Sequence, residues 1–425
     1  MVKMRTQAVG AVVPSSRVAA LVPSSRAGAA PSSFAARPSS RAGAAPSSFA
    51  AVPSSRAGAA PSSFAARPSS RAAAAAAGCR FAVTRAPELP GGSSLTGIAA
   101  SGEAMAWAVG HVPATPTSLN RRPIVERWDG QRWQLVTLPA LPPVPAGPVV
   151  DAVLTSVSVA RDGEVWAAGM QRAETSANLP LILHGAGAGW SAVPLPAGLS
   201  RSASYAVWSV AADGYGHVWL AGSVSYHDTR MLLMSWDGSR WTTHHLSTGA
   251  PTGALSSVVA IDGRDAWATG VATYHWNGTA WARVPVPAGL GQGDALAATD
   301  GRDVWLSGSS GGAATIERWG GTAWAAGPDL PAPLAVRQLG VDTRHRAWAA
   351  GTGTSASGRP IGTVLRWDGR SWSRVALPPV VTGSDTVGIG VAVSRGGRTA
   401  WAFADVMSPV AGSARNGPVL LRATC

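Results

Sequence analysis

The stretch from Ile124 to Pro139, IVERWDGQRWQLVTLP, constrains this chain more than any other, because versions of it return five more times with tryptophan or its replacement in register. An apolar run ends at Trp128, a turn holding Asp129 and Gly130 follows, and a second run starts at Trp133 and stops at a proline. Asp-Gly between alternating apolar runs is a strong hairpin signal, because both residues tolerate the positive φ of tight turns. The other copies are HGAGAGW ending at Trp190, WDGSRW from Trp236, WNGTAW from Trp276, WGGTAW from Trp319 and WDGRSW from Trp367.

A second signature precedes each hairpin: an alternating apolar run, a turn, then Trp-Ala or Trp-Leu and, in most copies, a nearby glycine. Its copies centre on Trp107, Trp166, Trp219, Trp267, Trp305, Trp348 and Trp401, spaced by 59, 53, 48, 38, 43 and 53 residues. Those spacings bracket the length of a four-stranded propeller blade. The chain therefore reads as all-β: a seven-bladed β-propeller of four-stranded antiparallel blades over residues 79–425. A disordered leader of Ala, Ser, Pro and Arg precedes it over residues 1–78.

Seven first-and-second-strand pairs are present, but only six complete hairpins of third and fourth strands. The seventh unit stops at VLLRATC, which aligns on VLRWDG at Val364 so that Cys425 falls on Gly369 of the turn. The missing fourth strand lies at the other end, in CRFAVTRAPELP, with Phe81 where other copies have Trp133 and Trp372. The N-terminal strand is thus expected to close the last blade and remove an open sheet edge, with Cys79 and Cys425 joined by a disulfide where other blades have a covalent turn. Closing so long a loop contributes roughly 4 to 5 kcal/mol in the chain-entropy picture. The alternative is two unpaired terminal cysteines. A disulfide implies an oxidising, extracytoplasmic location, secreted or at the cell surface.

The leader repeats PSSRAGAAPSSFAAR with a period of fifteen, starting at Pro23, Pro38, Pro53 and Pro68, and cannot bury a core. It reads as a transit-like segment, a cell-wall spacer, or translated sequence ahead of a misassigned start. AAAAAAGC, ending at Cys79, faintly resembles a lipoprotein cleavage box, which would make Cys79 a lipid anchor. Residues 1–78 carry +9 of the formal +13, leaving 26 basic against 22 acidic residues afterwards. The propeller thus lacks the charge of a nucleic-acid binder. No stretch of 18 uncharged apolar residues occurs, so no transmembrane segment is expected. A monomer is expected.

Eighteen of nineteen tryptophans occupy the three repeat positions, and a residue recurring once per blade is most simply core between blades. Trp208 is the exception. It lies eleven residues before Trp219, and the same register elsewhere gives Thr96, Thr155, Ser256, Asp294, Arg337 and Gly390. These positions fall near the start of the strands expected to surround the central channel. Trp208, Asp294 and Arg337 are candidates to bind a glycan or protein ligand; the alternative for Trp208 is packing under a loop. Length variation is confined to connections that emerge on one face, which adds Arg121, Arg122, His227, Asp228 and Arg230, as well as Arg172, Arg359 and Arg415. Most of these could equally be solvated loop residues.

On these motifs, with ERWDGQRWQLVTLPALPP as the fullest copy, the units resemble kelch-type repeats, as in the propeller domain of galactose oxidase. They resemble more closely the Trp-rich repeats of secreted actinobacterial proteins. The resemblance implies architecture rather than activity: the kelch double glycine is reduced to one and its Tyr is Trp. The oxidase's copper site needs a Tyr crosslinked to Cys, and both cysteines here sit at the termini. No catalytic or metal motif such as GxSxG or HExxH occurs, and no cofactor is expected. Sequence alone therefore favours a non-catalytic binding propeller. The alternative is a glycan-active hydrolase, lyase or oxidase at the channel mouth.

Overall fold

The computed structural model describes residues 78–425 apart from positions 146, 187–188, 197, 247–250, 288–289, 311–312, 328, 332 and 408–415. Apart from Gly78, the expected leader lies outside the described residues. Seven four-stranded antiparallel sheets form. Blade I holds β2 (Ser94–Ala100), β3 (Ala106–Pro113), β4 (Arg121–Trp128) and β5 (Trp133–Leu135); blade II holds β6 (Asp151–Val159), β7 (Val165–Arg172), β8 (Leu179–Ala186) and β9 (Gly189–Ala192). Blade III follows with β10 (Ser204–Ala212), β11 (Val218–Ser225), β12 (Thr229–Trp236) and β13 (Trp241–Thr243), and blade IV with β14 (Leu255–Asp262), β15 (Asp265–Gly270), β16 (Thr273–Trp276) and β17 (Trp281–Val284). Blade V comprises β18 (Gln292–Asp300), β19 (Asp303–Ser310), β20 (Ala313–Trp319) and β21 (Trp324–Ala326). Blade VI comprises β22 (Ala335–Val341), β23 (Ala347–Thr354), β24 (Pro360–Trp367) and β25 (Trp372–Arg374). A one-turn helix, Pro379–Thr382, leads into blade VII: β26 (Asp385–Val393), β27 (Thr399–Met407) and β28 (Gly417–Thr424).

Blade VII is completed by β1 (Arg80–Val83), which pairs antiparallel with β28, Phe81 opposite Ala423. That register is the one Trp367 and Trp372 adopt across their own hairpin. Four residues separate each pair: Asp368 to Ser371 in blade VI, and Thr424, Cys425, Cys79 and Arg80 in blade VII. A Cys79–Cys425 disulfide with Cα atoms 4.7 Å apart takes the place of the central peptide bond of that turn. Its two sulfurs are thereby committed, so Cys79 cannot carry a lipid thioether, which removes the lipid-anchor reading. The bond also fits an oxidising, extracytoplasmic environment. Among the described residues no helix is long and apolar enough to cross a membrane.

The blades adhere through tryptophan. The second-strand indole of each blade is at most 5% exposed and packs against the hairpin aromatics of the next. Trp219 meets Trp276 and Trp281 at 5.4 and 5.0 Å, and Trp401 meets Trp128 and Trp133 at 4.9 and 5.6 Å. Blade VII substitutes Phe81, 6.2 Å from Trp348. In blade II, Gly185 stands where a hairpin Trp is expected, because Trp190 fills its space: a Cβ there would sit 2.6 Å from that ring. Opposite each second-strand Trp, the residue before the hairpin position caps the indole in most blades, as Arg127 does over Trp107 at 5.3 Å and Arg422 over Trp401 at 5.0 Å.

The glycine of the Trp-Ala-x-Gly signature has a steric cause. In six blades a bulge interrupts the first strand opposite it, and a Cβ on Gly110, Gly169, Gly222, Gly270, Gly308 or Gly351 would lie 1.9 to 2.4 Å from a first-strand carbonyl oxygen. Blade VII has Ala404 there, and its bulge falls farther along, at Val387 between Thr386 and Gly388.

One third-strand position tests the core. Leu183, Met234, Tyr274, Leu365 and Leu421 share a register that Glu126 and Glu317 occupy in blades I and V. Glu126 is 1% exposed and its Oε2 has no hydrogen-bond partner. Burial pushes its carboxyl up to about 7. An acid whose folded pKa is raised holds its proton in the folded state after the unfolded chain has lost it, so stability falls as pH climbs from about 4.5 to about 7. Glu126→Leu is expected to abolish most of that slope and to raise stability at pH 8 by on the order of 2 kcal/mol. Urea denaturation of both proteins at pH 5 and pH 8 measures it.

Candidate functional site

The first strands of the blades enclose a central lumen. Its upper mouth lies on the face from which the second-to-third and fourth-to-first strand connections emerge, and its lower mouth on the face of the first-to-second strand turns. The upper mouth is a cavity of about 180 Å³ lined by Thr96, Thr155, Trp208, Ser256, Asp294 and Arg337 with the residues that follow each. Six of the seven positions singled out by register are thus brought together, and each is the bulged residue of its strand. A bulge turns a side chain out of the pleat, here into the lumen.

The seventh position differs. Gly390 pairs with Phe403 inside the ladder, and the bulged residue is Val387, 60% exposed. The eleven-residue rule fails because the turn in blade VII is one residue longer and its bulge lies two pairs farther on. Gly390 serves another purpose. Gln338 of blade VI passes in front of blade VII to donate from Nε2 to the Ile98 carbonyl of blade I at 2.9 Å, and a Cβ on Gly390 would lie 2.4 Å from its Oε1.

Hydrogen bonding divides the ring. The Thr96 hydroxyl lies 2.6 Å from the Leu154 carbonyl of the next blade and 3.2 Å from Val109 O of its own; Thr155 and Ser256 repeat the arrangement on Val207 and Gly293. These hydroxyls fasten neighbouring blades and have no donor to spare. Trp208, Asp294 and Arg337 have no hydrogen-bond or ion-pair partner among the described residues. Trp208 is 46% exposed, the most open tryptophan described, and so does not pack under a loop. Burial raises the Asp294 carboxyl above its ordinary range, and the Arg337 charge on the adjacent blade works against that rise.

None of the loop candidates lines this cavity. Arg121 donates from Nε and Nη2 to Asp151 at 2.9 and 2.8 Å, tying blade I to blade II, and Arg172 lies 3.6 Å from the same carboxylate. Arg359 is held likewise by Asp385 at 2.6 Å. Arg122 is exposed. His227 stacks edge-on against Tyr226, and Asp228 pairs with Arg230 on the surface at 3.0 Å. Asp228 and Arg230 border a separate hollow along blade III with His244 and His245. Arg415 lies outside the described residues.

Three of the eight histidines hydrogen-bond to carboxylates on the lower face: His217 with Asp213 and His275 with Asp265 at 2.9 Å, and His345 with Asp303 at 2.7 Å. The Asp213–His217 pair is local to one turn, whereas His345 and Asp303 come from neighbouring blades and leave no mark in the sequence. Among the described residues no group of three or more His, Cys, Asp or Glu side chains is placed to hold a metal ion.

No protein-family model matches the sequence, and no curated protein matches it. Solved structures do. A catalytically inactive virginiamycin B lyase from Staphylococcus aureus with quinupristin is 12% identical, with 81% of this chain and 100% of that one aligned and a TM-score of 0.52. U3-55K is 12% identical over 81% of this chain and 98% of that one, at 0.50. YCF48 bound to a D1 peptide is 16% identical over 81% and 100%, at 0.48. At such identities the likeness to the first two is one of fold alone, and what this chain shares with them is the propeller.

Proposed function

We propose that the protein is a secreted, non-catalytic bacterial propeller of the Trp-rich, kelch-like kind, acting as a monomer that binds a glycan or a protein through the upper mouth and the surrounding loop face. One observation carries this reading. Trp208, Asp294 and Arg337 line a solvent-open cavity without hydrogen-bond or ion-pair partners among the described residues, while every Thr and Ser hydroxyl of the same ring is spent on the fold. An open indole supplies a stacking face for a sugar ring or an apolar side chain, and the guanidinium and carboxyl supply directional donors and acceptors.

An enzyme acting at the same mouth is the second reading. It is favoured by Asp294 alone, whose raised carboxyl would serve as a general acid. A glycan and cell-wall binding screen on residues 79–425 tests the first reading. Wild-type protein is expected to retain a ligand that Trp208→Ala and Arg337→Ala each bind at least about tenfold more weakly. Binding unchanged by both substitutions refutes the upper-mouth site, and turnover of the retained glycan, lost in Asp294→Asn, establishes the second reading instead.

A further inference from the structure

We propose that the lower mouth of the lumen is a separate binding site for an amphiphilic organic anion, a carboxylate on a short apolar tail. Below the bulges the lumen widens into a cavity of about 490 Å³ whose wall includes Val159, Val210, Val259, Val341 and Val393. That size lies within the roughly 300–1,000 Å³ of small-molecule sites. The lip carries Arg161 from the turn of blade II and Arg395 from the turn of blade VII.

Both arginines are built into place. The backbone of Arg161 is packed by Gly214 of blade III, at φ 81°, where a Cβ would lie 2.5 Å from Arg161 N. Its guanidinium lies 5.8 Å above the Tyr215 ring and donates to the Tyr215 hydroxyl at 3.5 Å. Arg395 is pinned through its carbonyl, which accepts from Thr343 N at 3.1 Å and Thr343 Oγ1 at 2.8 Å. Its guanidinium donates to no group among the described residues.

The charge at the lip is not spent internally. Asp213 lines the same cavity, but its carboxylate is fully buried and already accepts from the Tyr215 and His217 amides and from the His217 ring. Burial first, and then the neighbouring Arg161 charge, weaken the hold of Arg395 on its proton, with Asp162 and Tyr215 opposing. Two like charges over a throat of mixed lining, valines beside Ser158, Thr299 and Thr343, are relieved by an anion, and a carboxylate can accept from both. The valine walls select a tail over a bare anion such as phosphate.

Octanoate is the probe, with octanol and acetate isolating its tail and its charge, measured by saturation-transfer NMR and calorimetry. Octanoate is expected to bind wild-type protein, with octanol and acetate each at least about tenfold weaker. Arg161→Gln and Arg395→Gln should each weaken octanoate about tenfold or more. Trp208→Ala should leave it unchanged, which separates this site from the upper mouth. Should Arg161→Gln fail to fold, Arg395→Gln decides, since that guanidinium bonds to no group among the described residues. Absence of octanoate binding, equal binding of octanol, or binding that Arg395→Gln retains in full overturns the proposal.

Discussion

Cys79→Ser is expected to lower the unfolding free energy by about 4 to 5 kcal/mol, the upper end of what a native disulfide contributes. The two cysteines are separated by 346 residues, so the bond closes a loop that spans the entire propeller. Without it the N-terminal segment keeps the short β1 ladder on β28, the bond from Phe81 N to the Ala376 carbonyl at 2.9 Å, the packing of Phe81 on Trp348, and the bonds of Thr84 and Arg85, just after β1, with Leu420 and Trp133. A two-state fit to guanidinium denaturation should show a lower midpoint for Cys79→Ser and an equal one for Cys425→Ser. Reductant should bring the wild type down to the same value. Equal stability of oxidised and reduced protein would mean that β1 holds blade VII without its covalent clasp.

Trp401→Ala is expected to cost about 3 to 5 kcal/mol, the range for truncating a large aromatic in a packed core. Its indole is fully buried between Trp128, Trp133 and Arg422 at the junction of blades VII and I. That junction is where the ring closes, so the loss should appear as reduced global stability rather than a local opening. Trp208→Ala, at a half-exposed position, should change stability by no more than about 0.5 kcal/mol. Denaturation midpoints of the two variants, taken side by side, check the division of the tryptophans into core and surface. Comparable losses for both would contradict it.

Much of the fold was legible because its causes are local. Asp129 and Gly130 announce the hairpin, since Asp129 Oδ1 accepts the Gln131 and Arg132 amides at 2.8 Å while Gly130 takes φ 105°. Counting blades by their tryptophans was enough to assign Phe81 to the missing strand and to bring Cys79 to Cys425. The candidate ring was legible for a related reason: a fixed distance from the second-strand Trp finds the bulge wherever the glycine opposite it is kept. It failed in blade VII, where Ala404 replaces that glycine and the bulge moves to Val387.

The roles within the ring were not legible. Thr96, Thr155 and Ser256 bond carbonyls of neighbouring blades, and backbone carbonyls leave no mark on a sequence. Arg121 looked like a loop cation because Asp151 lies thirty residues away in the chain. The lower mouth escaped notice for the same reason, since Arg161 and Arg395 belong to turns of blades that meet only across the lumen.

The upper-mouth reading can be tested at a single indole. In protein labelled with 5-fluorotryptophan, Trp208 should give one solvent-exposed ¹⁹F resonance, identified by its loss in Trp208→Phe. Titration with the ligand retained in the binding screen is predicted to shift that resonance and leave those of the buried inter-blade tryptophans in place. A bound ligand that leaves the Trp208 resonance unmoved would contradict the assignment of the upper mouth as the binding site.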